Sequence, residues 1–425
     1  MRSLLMFNFI LIFYINFSYS QNIDFTLKKC LRLALKNNLS IQASKFKLQS
    51  TKAGLSFTKT KKLPKIFLGN YAGMAKFGGG VPVGNNLLLS LDQYKTRLFF
   101  YGEIGIFSRW LLYDNKKTYY EIKEKEELIE ISKNNIKQRQ SEILFQTAYI
   151  YCNASRSREK IRLKQEQVNY LKQLKFQVTN YYKIGLLSKS ELEKLEIQLF
   201  NFEDQLLLEH FKYRHLINKL HIILNIPEKQ TINIGTFDEI NFREIKTISK
   251  NSLEIKQAEL TVSVNRFKVE QTKKHNSFQI NLDTFLRYSI SYSWVAGIGI
   301  EWPIWDFGET KAMKDMAHFK LMASQAELKL INQKVTQEIE ENYENVLLTR
   351  KRLNLFGDKV DSLNGKNILS DNVTNSSIHE LMIKIDRKIE YLNFCSQNID
   401  REYEYYLACL NYLESINGLE ELIKN

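Results

Sequence analysis

Apolar positions recur every seven residues along two long stretches of the chain. Ile122, Ile129, Ile136, Ile143 and Ile150 form one series. Leu192, Leu199, Leu206, Tyr213 and Leu220 form another, and Leu195, Phe202, Leu216 and Ile223 add a second seam beside it. Ile339, Val346, Leu353 and Val360 keep the spacing further on, as do Ile378, Ile385, Leu392, Ile399, Tyr406 and Leu413. A strict seven-residue repeat specifies coiled-coil packing with a left-handed supercoil. Helix breakers are missing from the same stretches. Between Gly105 and Pro227 there is no proline and one glycine, Gly185; after Gly308 there is no proline and only Gly357, Gly365 and Gly418. The pattern predicts a helix from about Lys116 to Lys183, roughly 100 Å long at 1.5 Å per residue. Tyr182-Lys183-Ile184-Gly185 ends it, and Ser188 caps its successor with Glu191 three residues on, which makes a tight helical hairpin. The apolar seam of the first long helix is narrow. A helix wet on most of its circumference suits a ring around a water-filled bore better than a closed bundle.

Between the helical stretches the period changes to two. Phe278, Ile280, Leu282, Thr284, Leu286, Tyr288, Ile290 and Tyr292 fall on one face of a strand running from Phe278 to Tyr292. Gln279, Asn281, Asp283, Arg287, Ser289 and Ser291 fall on the other, with Phe285 as the exception. After a short turn, Ala296, Ile298, Ile300 and Trp302 alternate with Val295, Gly297, Gly299 and Glu301. Tyr292, Trp294, Trp302 and Trp305 cluster near the strand ends. Apolar-out, polar-in alternation with terminal aromatics is the signature of a transmembrane β-barrel, and it makes Ile280, Leu282, Ile290 and Ile298 candidate lipid-facing residues. A strand pair of a soluble sandwich would show the same alternation. An earlier pair of strands is expected from Pro64 to Tyr71 and from Leu98 to Leu112, joined by a Gly-rich external loop. Four strands cannot close a barrel, and lipid does not tolerate open edges, so the barrel must be shared between copies of the chain.

Composition narrows the context. Residues 1–20 read as a signal peptide: Arg2, an apolar run from Leu4 to Phe17, then Ser18-Tyr19-Ser20. No later run approaches the length of a helical membrane span, so a membrane would be met through strands. Cys30, Cys152, Cys395 and Cys409 show neither CxxC nor metal spacing and read as free thiols in helical seams. The formal charge of +14 is spread along the chain, so no nucleic-acid partner is expected. No phosphate loop, nucleophile elbow, HExxH or paired-cysteine site occurs, and His210 and His215 are five apart, the wrong spacing for one helical face. The reading is therefore not an enzyme, with no cofactor and no metal.

The order helix, two strands, long helix, turn, helix occurs twice. Asn38-Leu39-Ser40-Ile41 matches Ser252-Leu253-Glu254-Ile255, Trp110-Leu111-Leu112-Tyr113-Asp114 matches Trp302-Pro303-Ile304-Trp305-Asp306, and Tyr149 matches Tyr343. This divides the chain into a signal peptide (1–20), a first structural repeat (21–225), a linker near the tunnel equator (226–247) and a second repeat (248–425).

On these residues the sequence resembles the TolC-type outer-membrane efflux protein family. Leu27 to Asn38 is similar to the family's opening helix. Trp302 to Lys311, with Pro303, Asp306 and Gly308, is similar to its strand-to-helix junction, and Tyr182 to Leu192 to its periplasmic hairpin. Two departures stand out. The first junction reads Asp114-Asn115-Lys116, without the glycine that Gly308 supplies, and the second turn, Asp371 to Ser377, has Thr374 where the first has Gly185.

The resemblance implies a mixed α and β fold: a long coiled-coil α-helical barrel fused to a shared transmembrane β-barrel, four strands per chain and 12 in a homotrimer. It implies a channel-tunnel in the cell outer membrane, extending into the periplasm, that exports small molecules or proteins. The implied partners are a periplasmic adaptor protein, an inner-membrane efflux pump or secretion transporter, and outer-membrane lipid. Gly185, Leu186, Leu187 and Ser188 would form the adaptor-docking hairpin. Glu191 and Glu380, in matching first turns, would ring the narrow periplasmic mouth, with Lys384 and Arg387 as basic gate candidates; the same two carboxylates also suit plain helix caps. The alternative from another class is an exported structural coiled-coil envelope protein.

Overall fold

The computed structural model describes residues 24–76, 81–82, 88–89, 98–227, 231–235, 252–288, 292–364 and 378–424. In chain order these form β1 (Asp24–Phe25), α1 (Leu27–Asn37), α2 (Leu39–Thr60), β2 (Lys65–Lys76), β3 (Val81–Pro82), β4 (Leu88–Leu89), β5 (Leu98–Tyr113), α3 (Lys117–Lys183), α4 (Lys189–Leu224), β6 (Asn233–Ile234), α5 (Leu253–Lys273), β7 (Gln279–Tyr288), β8 (Tyr292–Glu301), α6 (Glu309–Asn364), α7 (Ile378–Ser415) and α8 (Glu421–Lys424). The residues of the expected signal peptide, Ile290, and the second turn from Asp371 to Ser377 lie outside the described residues. Among the described residues no helix is long and apolar enough to cross a membrane.

The chain divides into two compact units. The first comprises the residues up to Lys45, Asn135–Ile255 and those from Asn332 on. Its core follows the heptads: Ile143, Ile150, Leu195, Leu199, Phe202, Leu220, Ile339, Val346, Ile385, Leu392, Tyr406 and Leu413 are all buried. Toward the hairpin, Val168, Leu171, Leu174 and Val178 of α3 pack against Leu195, Leu199 and Phe202 of α4 and Ile385 and Ile389 of α7. Polar contacts are threaded through the same unit. The Tyr403 hydroxyl donates to Ser155 Oγ at 2.8 Å, Gln167 Nε2 donates to Asn393 Oδ1 at 3.1 Å, and Arg156 and Lys160 both pair with Asp400. Burial penalises the Asp400 charge, but hydrogen bonds from Lys160 and Arg156 outweigh it and hold its pKa below the ordinary carboxylate value.

Two local departures from the sequence reading have physical reasons. The opening helix is two helices. Asn38 between them is extended, its Oδ1 accepts from the Ser40 N–H at 2.9 Å, and its Nδ2 donates to the Ile223 carbonyl at 3.0 Å. It thus starts α2 and ties it to the end of α4. Within the expected linker, Asn233–Ile234 pairs in parallel with Asp24–Phe25, and Ile232 and Ile234 are buried; Ser155 and Arg158 of α3 donate to the Gly235 and Ile234 carbonyls. All four thiols are free, and Cys30, Cys152 and Cys409 are buried.

The second unit comprises Phe46–Asn134 and Lys256–Ile331. It carries a four-stranded antiparallel sheet in the order β2-β5-β7-β8. The first strand pair is longer than expected, since β2 reaches Lys76 and β5 reaches Tyr113. Tyr292 opens β8 opposite Tyr288 instead of closing the strand before it. A β-bulge between Leu111 and Tyr113 re-registers the end of β5, where Tyr113 comes opposite Ile280 and stacks on Phe278 with ring centroids 5.3 Å apart.

Candidate channel-forming elements

The two faces of the sheet differ sharply. Ile66, Leu68, Ile104, Ile106, Trp110, Leu286, Trp294, Ile298 and Ile300 stand on one face and are all exposed. Leu282 and Ile280 share that face, opposite Ile298 and Ile300, and are half-buried by their neighbours. The register therefore brings Ile280, Leu282 and Ile298 together on one face.

The opposite face is polar and internally paired. Arg109 makes a two-pronged bond to Asp283, at 2.7 and 3.0 Å, and reaches Glu301 at 3.4 Å. Arg287 donates to Ser293 Oγ at 2.9 Å and to Glu103 at 3.4 Å, with both charged side chains nearly covered. Phe285, the exception in the alternation, sits on this face and meets the Phe107 ring edge-on at 5.2 Å. Gly105 lies beneath Arg287, and a Cβ there would stand 2.7 Å from the Leu286 carbonyl oxygen, so only glycine fits. The outer strands β2 and β8 pair on one side only among the described residues.

Both strand-to-helix junctions fold alike. At Pro303-Ile304-Trp305-Asp306-Phe307-Gly308, the Asp306 carboxylate accepts the N–H groups of Gly308 and Thr310, each at 3.1 Å. Bonds from Thr310 first, then from Gly308, hold the Asp306 pKa below the usual aspartate value. Phe307 and Gly308 take left-handed φ of 48° and 90°. At the first junction the Asp114 carboxylate accepts the Thr118 N–H at 2.7 Å, and Asn115 and Lys116 take φ of 49° and 65°. The missing glycine therefore leaves the turn unchanged in form but places a lysine in a conformation that L-residues rarely adopt.

The hairpin after α3 is closed by Gly185 at φ 76°. The Leu186 N–H bonds the Tyr181 carbonyl at 2.9 Å and the Gly185 N–H bonds the Tyr182 carbonyl at 3.0 Å, the six-to-one and five-to-two pair of a Schellman cap. Ser188 and Glu191 form the expected capping box: the Ser188 N–H and Oγ donate to Glu191 Oε2 at 2.9 and 2.8 Å, and the Glu191 N–H donates to Ser188 Oγ at 3.3 Å. These bonds hold the Glu191 pKa below the usual glutamate value. Leu187 is buried in the hairpin's own core, whereas Ile184 and Leu186 are exposed at the tip.

By sequence the chain matches no family model and no curated protein. By structure it matches solved outer-membrane channels over nearly its whole length. The outer membrane protein VceC from Vibrio cholerae superposes with a TM-score of 0.77 at 12% identity, covering 92% of this chain and 96% of that one. The Campylobacter jejuni CmeC outer membrane channel gives 0.76 at 13%, covering 94% and 88%. The open state of the Neisseria gonorrhoeae MtrE outer membrane channel gives 0.75 at 12%, covering 92% and 89%. The chain has the TolC-type channel fold.

Within the TolC-type fold, the remaining candidate residues fall as follows. Arg387 is exposed on α7, while the side chains of Glu380 and Lys384 lie outside the described residues. His210 and His215 are exposed on α4. One group went unmarked in the sequence. Glu414, near the end of α7, has its pKa pushed up to about 7, first by burial and then by the negative charges of Glu338, Glu142 and Glu254. A carboxyl raised in the folded state is stabilising below its unfolded pKa, about 4.3, and that contribution is lost as pH rises through about 7. Glu414→Gln is therefore expected to raise the melting temperature at pH 8.5 and to leave it nearly unchanged at pH 4. Thermal unfolding at both pH values checks this, and a gain confined to pH 4 would contradict it.

Proposed function

We propose that three copies of this chain form a channel-tunnel of the outer membrane, through which solutes leave the periplasm. The observation that carries the reading is the sheet. It has four strands, an exposed apolar face, an internally paired polar face and two outer strands that pair on one side only among the described residues. Joining β8 of one copy to β2 of the next would satisfy both edges and close a barrel of 12 strands from three chains. The apolar face would then meet lipid and the polar face would line the bore. Exposed apolar residues on the helices, among them Phe200, Leu207 and Phe211 of α4 and Leu348 and Leu355 of α6, support burial against further copies. An N-terminal signal peptide would deliver the chain, and the two matching junctions support the division into repeats at 21–225 and 248–425.

In this reading the channel is passive, and the energy for export comes from elsewhere. A periplasmic adaptor docking at the tip formed by Gly185 and Leu186, and an inner-membrane efflux pump or secretion transporter behind it, would supply that energy. Glu191 and Glu380 would bring six carboxylates to the periplasmic mouth of the trimer, where clustered negative charge attracts cations. Arg387 and Lys384 on α7 would be the basic groups that bridge them.

Reconstitution in planar bilayers tests the function and the mouth together. Wild-type protein should give discrete conductance steps, whereas a purely structural envelope protein would give none. Glu191→Gln with Glu380→Gln should lower cation selectivity, read as a shift of reversal potential in a salt gradient. An unchanged reversal potential would leave the two carboxylates as helix caps and put the constriction elsewhere.

A further inference from the structure

A hollow of about 700 Å³ opens where β5 gives way to α3. Lys62, Trp110, Tyr113, Lys116, Tyr119 and Tyr120 line it. The Trp110 indole N–H donates to the Lys62 carbonyl at 2.8 Å, which ties the wall together. Trp110 belongs to the apolar face of the sheet, opposite Leu282, so the hollow is continuous with that face. Charge in it is unbalanced. Lys61 pairs with Glu121 at 2.6 Å, whereas Lys62 and Lys116 have no anionic partner among the described residues. Asp114 also lines the hollow, but its carboxylate accepts the Thr118 N–H at 2.7 Å.

The backbone adds a second, independent observation. Lys116 stands where the matching junction has Gly308, and both residues are left-handed, at φ 65° and 90°. Gly308 adopts that conformation without strain; a lysine does not. The second junction carries its own strained residue, Phe307 at φ 48°, so what sets the first apart is a lysine side chain where its twin has none.

We propose that this hollow binds the phosphate of a glycerophospholipid headgroup at the periplasmic edge of the membrane. Two unpaired ammonium groups suit a phosphodiester, and amphipathic Trp and Tyr rings sit at the headgroup level of a bilayer. The apolar sheet face beside the hollow would take the acyl chains. Lipid seated here fixes the depth of the barrel at the start of the helical body. The inference rests on the barrel reading above.

The test is native mass spectrometry of the full-length protein, stripped of lipid in detergent and then offered phosphatidylglycerol. The wild type should retain phosphatidylglycerol on each chain. Lys116→Gly should lose about five-fold in affinity and Lys62→Gln with Lys116→Gly markedly more, at about five-fold per lysine. Lys116→Gly should fold at least as stably as the wild type, because it removes the backbone strain. Inorganic phosphate at millimolar concentration should not displace the lipid. Equal lipid retention by wild type and double variant, in a protein that still conducts in bilayers, would overturn the site alone. Full displacement by inorganic phosphate would reduce it to an ion site and overturn the lipid assignment. A wild type that neither conducts nor retains lipid would overturn the barrel reading and this site with it.

Discussion

Ile298→Arg is expected to keep the protein out of the outer membrane, while Gly297→Arg is tolerated. The two positions are adjacent on β8 but project to opposite faces. Ile298 is 68% exposed on the apolar face beside Leu282. A cation there, at mid-membrane, costs about 2–4 kcal/mol in each copy, and a trimer repeats the cost three times. Gly297 lies opposite Asp283, and a Cβ added to it meets nothing within 4 Å. An arginine at that position would gain a carboxylate neighbour and, in the proposed barrel, would point into the bore. Membrane fractionation with extraction tests the pair. If the two variants insert equally well, the assignment of the faces is wrong.

Gly185→Val is expected to cut export about ten-fold, with assembly and membrane insertion unchanged. The residue is held at φ 76° by the Schellman cap, where a β-branched residue is strained. Added bulk is not the cause, since a Cβ at Gly185 meets no atom within 4 Å. The variant must shift the turn, and with it the exposed Ile184 and Leu186. Gly185→Asn is the control. Asparagine already takes the same conformation at the ends of two other helices of this chain, as Asn225 at φ 50° and Asn417 at φ 57°. Efflux of a fluorescent substrate from cells measures both variants. Export by Gly185→Val equal to that of Gly185→Asn would reduce Gly185 to a helix stop.

The long helices and the hairpin were readable because their determinants are local. A heptad seam, a glycine at a helix end and a Ser-x-x-Glu box each act within a few residues of themselves. The alternation of β7 and β8 is likewise local, and the register sets Ile280, Leu282 and Ile298 on one face of the sheet. What escaped the sequence depends on partners far along the chain. Arg109 and Asp283 are 174 residues apart, and nothing local marks them as a pair. Asn38 breaks the opening helix because the Ile223 carbonyl, 185 residues on, receives its amide. The short strand Asn233–Ile234 exists only because Asp24–Phe25 lies beside it. The boundary at Tyr292 was misplaced because the apolar alternation of the sequence continues unbroken past Tyr288, and period alone does not mark where a strand ends. The left-handed backbone of Lys116 gave no signal, since lysine is not a residue type that favours it.

The shared barrel is the central claim, and the mass of the detergent-extracted protein tests it most directly. The open edges of β2 and β8 require a neighbour on each side, so multi-angle light scattering corrected for detergent should give three copies of the 50.1 kDa chain, less the mass of any cleaved signal peptide. A monodisperse, folded monomer would contradict it, because a single four-stranded sheet with two bare edges cannot span a membrane.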